Sequence, residues 1–445
     1  MVDRNPCPDT SFAGLSRRSW LAGAGLLGAW AAGPALAQLR IEVSDLGAAK
    51  LPIALPTFRG EGIAPHRISE IVRADLERSG LFEVISSGLA ESDPIGTRPD
   101  FASWRGRKVD FLLNGSITRL ANGRFYIASQ LWDTVRGSDL ATANYEERPD
   151  DMRLAAHVIA DTIYQKLIGE KSVFATRIAY VTKQGSDFRL LVADSDGENA
   201  QLAFQSRDPI ISPAWSRSGA HLAYVSFHEG RPIIYAHEVA RGGRPSVVAD
   251  FRGSNSAPAW SANGRQIIAT LSRDGGSQIY AVDFPGGREP RRLTQSTSID
   301  TEPCCSPDGQ WIYFVSARRG RSPQIYRMPL GGGGGAAELM TKNGNYNISP
   351  AISPDSKLMA YISLVAGGYR LHLMDLSTGQ STALTETSAD EGPSFAPNGR
   401  LILYETRVQG RELLMTTTID GRIKMPLKVQ GGDIREPDWG PFVRA

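Results

Sequence analysis

The chain has 445 residues, 41% of them hydrophobic and 22% charged, with a formal net charge of +2. That balance fits a globular protein with room for two domains, each with its own core. It gives no case for nucleic acid or an anionic membrane as partner.

In chain order, the first expected element is an export signal. Arg17 and Arg18 precede a weakly apolar, Gly/Ala-rich run from Leu21 to Gly33, and Ala35-Leu36-Ala37 supplies the small residues a signal peptidase needs. Cleavage after Ala37 leaves Gln38 first, so residues 1–37 are excluded from the fold. The stretch S-R-R-S-W-L, Ser16 to Leu21, is similar to a twin-arginine signal with Trp20 where Phe is usual; an ordinary secretory signal with two arginines is the alternative. No later run has the eighteen or more apolar residues of a membrane helix, so the mature protein is not expected to be an integral membrane protein. Losing Arg4, Arg17 and Arg18 against Asp3 and Asp9 takes the formal charge from +2 to +1.

Residues 38–50 begin with a short alternating strand carrying Leu39, Ile41 and Val43. A strand at a chain end either adds to a partner's sheet edge or packs on its own domain. Residues 51–172 read as a small α/β domain. Ile53 to Phe58 is a strand, and Ala64 to Ser79 is a helix with Ile68, Ile71, Val72 and Leu76 inward, stopped by Gly80. Leu81 to Ile85 follows as a strand, and the polar stretch from Glu91 to Asp100 reads as loop. Phe111 to Thr118, Phe125 to Thr134 and Ala141 to Glu147 are expected antiparallel strands. A helix from Asp150 to about Gly169 follows, with Leu154, Val158, Ile159 and Ile163 inward.

Residues 173–445 are repetitive. The stretches I-S-P-A-W-S-R-S-G, S-A-P-A-W-S-A-N-G, T-E-P-C-C-S-P-D-G, I-S-P-A-I-S-P-D-S and E-G-P-S-F-A-P-N-G each lead into an alternating apolar strand. Their prolines, with a sixth in R-E-P-D-W-G-P-F, are Pro213, Pro258, Pro303, Pro350, Pro393 and Pro437, about 45 residues apart. That period belongs to a four-stranded propeller blade. The unit beginning at Ile178 lacks an innermost strand, and Glu436 to Phe442 supplies one, so six blades are expected, closed by the C-terminal strand. Gly331 to Gly335 falls between strands and reads as a loop tip rather than a phosphate cradle, because no helix follows.

Catalytic signatures are missing. There is no G-x-S-x-G elbow, H-E-x-x-H, Walker loop or dinucleotide fingerprint, and the histidines at 66, 157, 221, 228, 237 and 372 lack ligand spacing. A propeller-bearing hydrolase would need a Ser/His/Asp set on a further domain for which no chain remains. A receptor holding a small molecule or glycan in the central channel is the other alternative. Cys304 and Cys305 are strand neighbours pointing to opposite faces, and read as packed thiols rather than a disulfide or metal site.

Four segments carry a resemblance: L-R-I-E-V-S-D-L-G from Leu39, R-A-D-L-E-R-S-G-L-F from Arg73, S-Q-L-W-D-T from Ser129, and F-A-T-R-I-A-Y-V from Phe174. Over the whole mature length the chain resembles the TolB family, the periplasmic component of the Tol-Pal cell-envelope system. The resemblance implies a non-enzymatic, cofactor-free periplasmic adaptor, monomeric when free, that supports outer-membrane integrity and constriction at division. Its partners would be the lipoprotein Pal, bound by the propeller, and TolA, bound by the mature N-terminus, here Leu39, Arg40, Ile41, Glu42, Val43, Ser44 and Asp45; other outer-membrane-associated proteins are further candidates. The Pal contacts it implies are Ala257, Thr301 and Glu302, with Ser254 standing where the family often has histidine. The repeat extends this set to Asp390, Glu391, Arg435 and Glu436, all expected in blade-entry loops at one mouth of the ring.

Overall fold

The computed structural model describes residues 50–445 except 240–242, 287–288, 321, 332–335, 430 and 443–445. The expected signal, the segment 38–49 and most of the glycine run lie outside the described residues.

The α/β domain is a five-stranded sheet built from β1 (Leu51–Ala54), β2 (Phe82–Ile85), β3 (Phe111–Arg119), β4 (Phe125–Asp133) and β5 (Ser138–Glu147), in the order β2-β1-β3-β4-β5. β1 runs parallel to both its neighbours, and β3, β4 and β5 form an antiparallel meander. One face carries two helices, α1 (Ile68–Ser79) and α3 (Met152–Ile168). α1 ends where Gly80 takes φ 74° and α3 where Gly169 takes φ 84°, a left-handed cap that glycine enters without a Cβ penalty. Ile68, Val72, Leu76, Ile159, Ile163 and Leu167 meet Ile53, Leu113 and Leu131 in the domain core.

Two local expectations need correction. Leu154 is 43% exposed, because Met152, Ala155, Ala156, Ile159 and Ile163 set the buried stripe of α3 and leave position 154 outside it. A further helix, α2 (Phe101–Gly106), follows the polar stretch, capped by Asp100, whose carboxylate accepts the N–H groups of Ala102 and Ser103. This segment lies over the second face of the sheet, where Phe101 and Val109 pack with Ala54, Leu112 and Trp132.

The remainder is six four-stranded antiparallel sheets in chain order, a six-bladed propeller. The last strand, Asp433–Trp439, pairs with Arg177–Gln184 of the first sheet, Asp433 opposite Lys183 and Trp439 opposite Ile178, so the C-terminus closes the ring. Between blades, Tyr180, Tyr224, Phe314, Tyr361 and Tyr404 stand at the same position of five of the six second strands and are buried, the third blade having Ala269 there. In the S-P-D-G turn, the buried Ser306 hydroxyl accepts the Trp311 N–H at 2.9 Å and Asp308 accepts the Gln310 N–H at 2.9 Å, while Gly309 takes φ 73°. Ser353 and Asp355 repeat the arrangement, and Ser261 with Asn263 varies it. The repeat motif is thus a turn that satisfies its own backbone.

Charged side chains join the two domains. Arg153 of α3 reaches Asp194 at 2.9 Å, Asp196 at 2.6 Å and Glu198 at 3.0 Å, all in one turn of the first blade. Arg78 of α1 pairs with Asp75 at 3.0 Å and donates to the Ser195 carbonyl at 2.9 Å. His157 Nδ1 lies 2.6 Å from Asp75. Burial works against charge on His157, but the Asp75 and Asp194 carboxylates outweigh it and raise its pKa to about 10.

Candidate functional site

Each innermost strand carries its repeat proline in its interior, and the residue before that proline is left-handed in every blade: Ser212 (φ 52°), Ala257 (47°), Glu302 (49°), Ser349 (53°), Gly392 (56°) and Glu436 (50°). Non-glycine residues rarely adopt positive φ, and a following proline restricts them further. The conformation persists because strand pairing holds both sides: the register slips at this point in all six sheets, as between Thr301 and Cys304 or between Ser256 and Ala259. These positions are therefore bulges within strands, not the blade-entry loops expected from the sequence. A bulge re-aims its residue, and here all six bulges turn toward the channel axis.

The result is a mouth of about 510 Å³ lined by the six pre-proline residues and their prolines, together with Ile348, Tyr369, Glu391 and Asp438. Its polar groups are ordered across blades. Glu302 accepts the Ser349 N–H at 2.7 Å and the Ser349 hydroxyl at 3.0 Å, bridging to the next blade. Glu436, on the closing strand of the first sheet, does the same toward the Ser212 N–H of the second. Asp438 accepts the Trp215 N–H at 2.7 Å and the Ser394 hydroxyl at 2.7 Å. Burial raises the pKa of Glu302 and of Glu436, opposed in each case by the serine donors. Asp438 is pushed up to about 6, again by burial.

One sector of the mouth is acidic. Glu391 stands directly opposite Glu405 on the neighbouring strand, and Glu405 accepts the Glu436 N–H at 2.9 Å. Burial, together with Glu391, Glu412 and Glu436, raises the Glu405 carboxyl to about 7 against that hydrogen bond. Arg407 answers from outside, 2.7 Å from Glu412, with Arg435 3.9 Å from the same carboxylate.

Of the residues read from the sequence, Ala257, Glu302, Glu391 and Glu436 come together on the mouth. Thr301 is their half-buried strand neighbour, its hydroxyl 3.4 Å from that of Thr270. Ser254 is off the lining, its N–H donating to the Ser272 hydroxyl at 2.7 Å. Asp390 is a correction. It is fully buried, accepting from Thr387 at 2.5 Å, Thr406 at 2.6 Å and the Leu371 N–H at 3.1 Å, which ties the fifth sheet, holding Leu371, to the sixth, holding Thr406. Asn255, Asp300 and Asn347, also three residues before a repeat proline, are equally buried, and each ties a loop by hydrogen bonds. Residues 39–45, expected to contact TolA, lie outside the described residues. Sequence reasoning missed Ser212 and Ser349, although the proline alignment contains them, and it missed Glu405, which only strand register places opposite Glu391.

His157, Asp194 and Asp196 bring three potential metal ligands within 4.8 Å of one another. The Arg153 guanidinium already bonds both aspartates there, so the cluster is an ion-paired domain contact. Cys304 and Cys305 are free thiols packed between blades, both raised in pKa by burial, to about 11 for Cys304.

Fold and mouth define the class: a closed six-bladed propeller carrying an N-terminal α/β domain, with a polar, cross-braced mouth. The comparisons with known proteins are specific. Residues 164–443 match the TolB beta propeller domain and residues 39–140 the TolB amino-terminal domain. The Tol-Pal system protein TolB of Polaromonas sp. strain JS666 is 58% identical over 411 residues, covering 92% of this chain and 95% of that protein. The protein of the same name from Bordetella pertussis is 46% identical over 414 residues, covering 92% and 93%. The crystal structure of TolB from Acinetobacter baumannii superposes with a TM-score of 0.80 at 35% identity, covering 89% of this chain and 98% of that one. The chain belongs to the TolB family and is a Tol-Pal system protein. Among the described residues, no helix is long and apolar enough to cross a membrane.

Proposed function

We propose that the protein is a non-enzymatic periplasmic adaptor that receives the lipoprotein Pal in the propeller mouth and TolA on its mature N-terminus, and so supports outer-membrane integrity and constriction at division. Residues 1–37 are then the cleaved export signal, 38–50 the TolA-binding segment, 51–172 the α/β domain and 173–445 the propeller. The observation that carries this reading is the convergence of Ala257, Glu302, Glu391 and Glu436 on one preorganised rim, with Thr301 beside it. Such a rim meets a partner's donors with little ordering cost, which is how a modest area becomes a specific contact.

Affinity purification from envelope extract tests it. The wild-type protein is expected to recover a peptidoglycan-associated lipoprotein, and Glu302→Lys is expected to recover at least tenfold less, because a cation on the rim faces the partner's donors and leaves Ser349 unpaired. Equal recovery by both proteins, or recovery by neither, counts against the assignment.

A further inference from the structure

The molecule has a second polar surface outside the mouth, on the face of the α/β sheet opposite α1 and α3, the helices that grip the propeller. There the segment from Arg98 to Lys108 carries four exposed cations, Arg98, Arg105, Arg107 and Lys108, and none forms an ion pair among the described residues. Three are held by other contacts. Arg98 lies over the Phe101 ring at 5.4 Å, Arg107 over the Trp104 ring at 5.4 Å, and Arg105 donates to the Thr134 carbonyl at 2.9 Å. That carbonyl belongs to the β4–β5 turn, which adds Arg136 and presents Val135 at 59% exposure. Nearby carboxylates are committed: Asp100 caps α2, and Asp133 accepts the Arg136 N–H at 2.8 Å and pairs with the Arg136 guanidinium at 3.9 Å, so Arg136 is the one cation here already partnered. Asp110 is half-buried behind the cations.

We propose that this face docks on an anionic phospholipid bilayer, its guanidinium and ammonium groups meeting lipid phosphates while Val135 and the half-buried Trp104 settle among the headgroups. Cations fixed on aromatic faces lose little rotamer freedom on docking, and an exposed apolar tip ringed by cations with an indole beside it is the pattern of an interfacial contact rather than of a purely ionic protein surface. The near-neutral net charge of the chain argues against bulk attraction to anions, but it averages this patch with the acidic mouth of the propeller. The α/β domain meets the propeller at the Asp194–Glu198 turn and contributes no residue to the mouth, so docking through this face covers none of the mouth's lining.

Sedimentation of the purified protein with vesicles tests this. Binding is expected to mixed phosphatidylglycerol/phosphatidylcholine vesicles at low salt and to be lost in high salt or with pure phosphatidylcholine. R107Q/K108Q is expected to weaken it roughly 30-fold at an unchanged melting temperature. V135D is expected to weaken it as well, and a matched propeller pair, R207Q/R265Q, to leave it unchanged. Absence of binding, equal binding to both vesicle types, or an equal loss in the propeller pair overturns the proposal. So does binding of polyglutamate but not vesicles, which would make the face a protein interface.

Discussion

At the scale of single residues, the mouth is a place where the chain tolerates unfavourable states. Six backbone positions sit in left-handed conformations before proline, each costing on the order of 1–3 kcal/mol for a non-glycine residue. Glu405 holds a carboxyl whose pKa is about 7 in the fold against 4.5 for the ordinary side chain. Because the native state keeps that proton longer than the unfolded state does, stability falls as pH rises from about 4.5 to about 7, and the loss is complete above that window. The full shift is worth at most about 3 kcal/mol. Glu405→Gln retains an acceptor for the Glu436 N–H and removes the charge, so it is expected to be more stable than wild type at pH 8 and indistinguishable at pH 4. Urea unfolding at both pH values checks this, and parallel pH profiles would refute it. The family resemblance pointed to Ala257 and Glu302 and the alignment on proline extended the set to Glu436, because the place of all three on the mouth depends on the repeat. Glu405 was not legible, because its neighbours come from another strand and the closing C-terminus. Asp390 was misplaced for a related reason: adjacent strand residues point to opposite sides, so nearness to Glu391 in sequence says nothing about facing the channel.

At the scale of elements, the junction of α1, α3 and the Asp194–Glu198 turn holds the two domains in one arrangement. Four carboxylates, from Asp75, Asp194, Asp196 and Glu198, meet Arg78, Arg153 and protonated His157 in a largely buried space. Taking one partner from such a network leaves uncompensated charge, at a cost of about 3–5 kcal/mol. Arg153→Ala is therefore expected to destabilise the protein by about that amount in urea unfolding and to expose the first blade's turn to proteolysis. A change below 1 kcal/mol would mean the carboxylates find other partners. In sequence the histidine at 157 looked unattached and the arginine was one of many, because their partners lie some forty residues on or eighty back. The helices themselves were readable from apolar spacing and glycine stops. α2 was not, since its six residues are too few for a periodic signal and its cap, Asp100, closed a stretch that read as loop.

At the scale of the whole molecule, ring closure decides whether blades drawn from distant parts of the sequence form one body. The strand Asp433–Trp439 fills the edge of Arg177–Gln184, Trp439 donates from Nε1 to Thr176 at 2.8 Å, and Asp438 ties the second and sixth blades. The orphan R-E-P-D-W at the end of the chain and the missing inner strand at its start announced this closure in the sequence, since each was an incomplete unit of the same repeat. A chain ending at Val429 would lose those bonds together and leave the edge of Arg177–Gln184 open, an invitation to pair with another molecule. Such a truncation is expected to melt at least 10 °C lower and to elute in light scattering as dimers and larger species. A peptide of residues 431–442 added in trans is expected to return it to monomer, by restoring the missing strand from outside. If the truncated chain stays monomeric with an unchanged melting temperature, closure is not what holds the ring. If it aggregates and the peptide does not rescue it, the strand acts during folding rather than as a separable clasp.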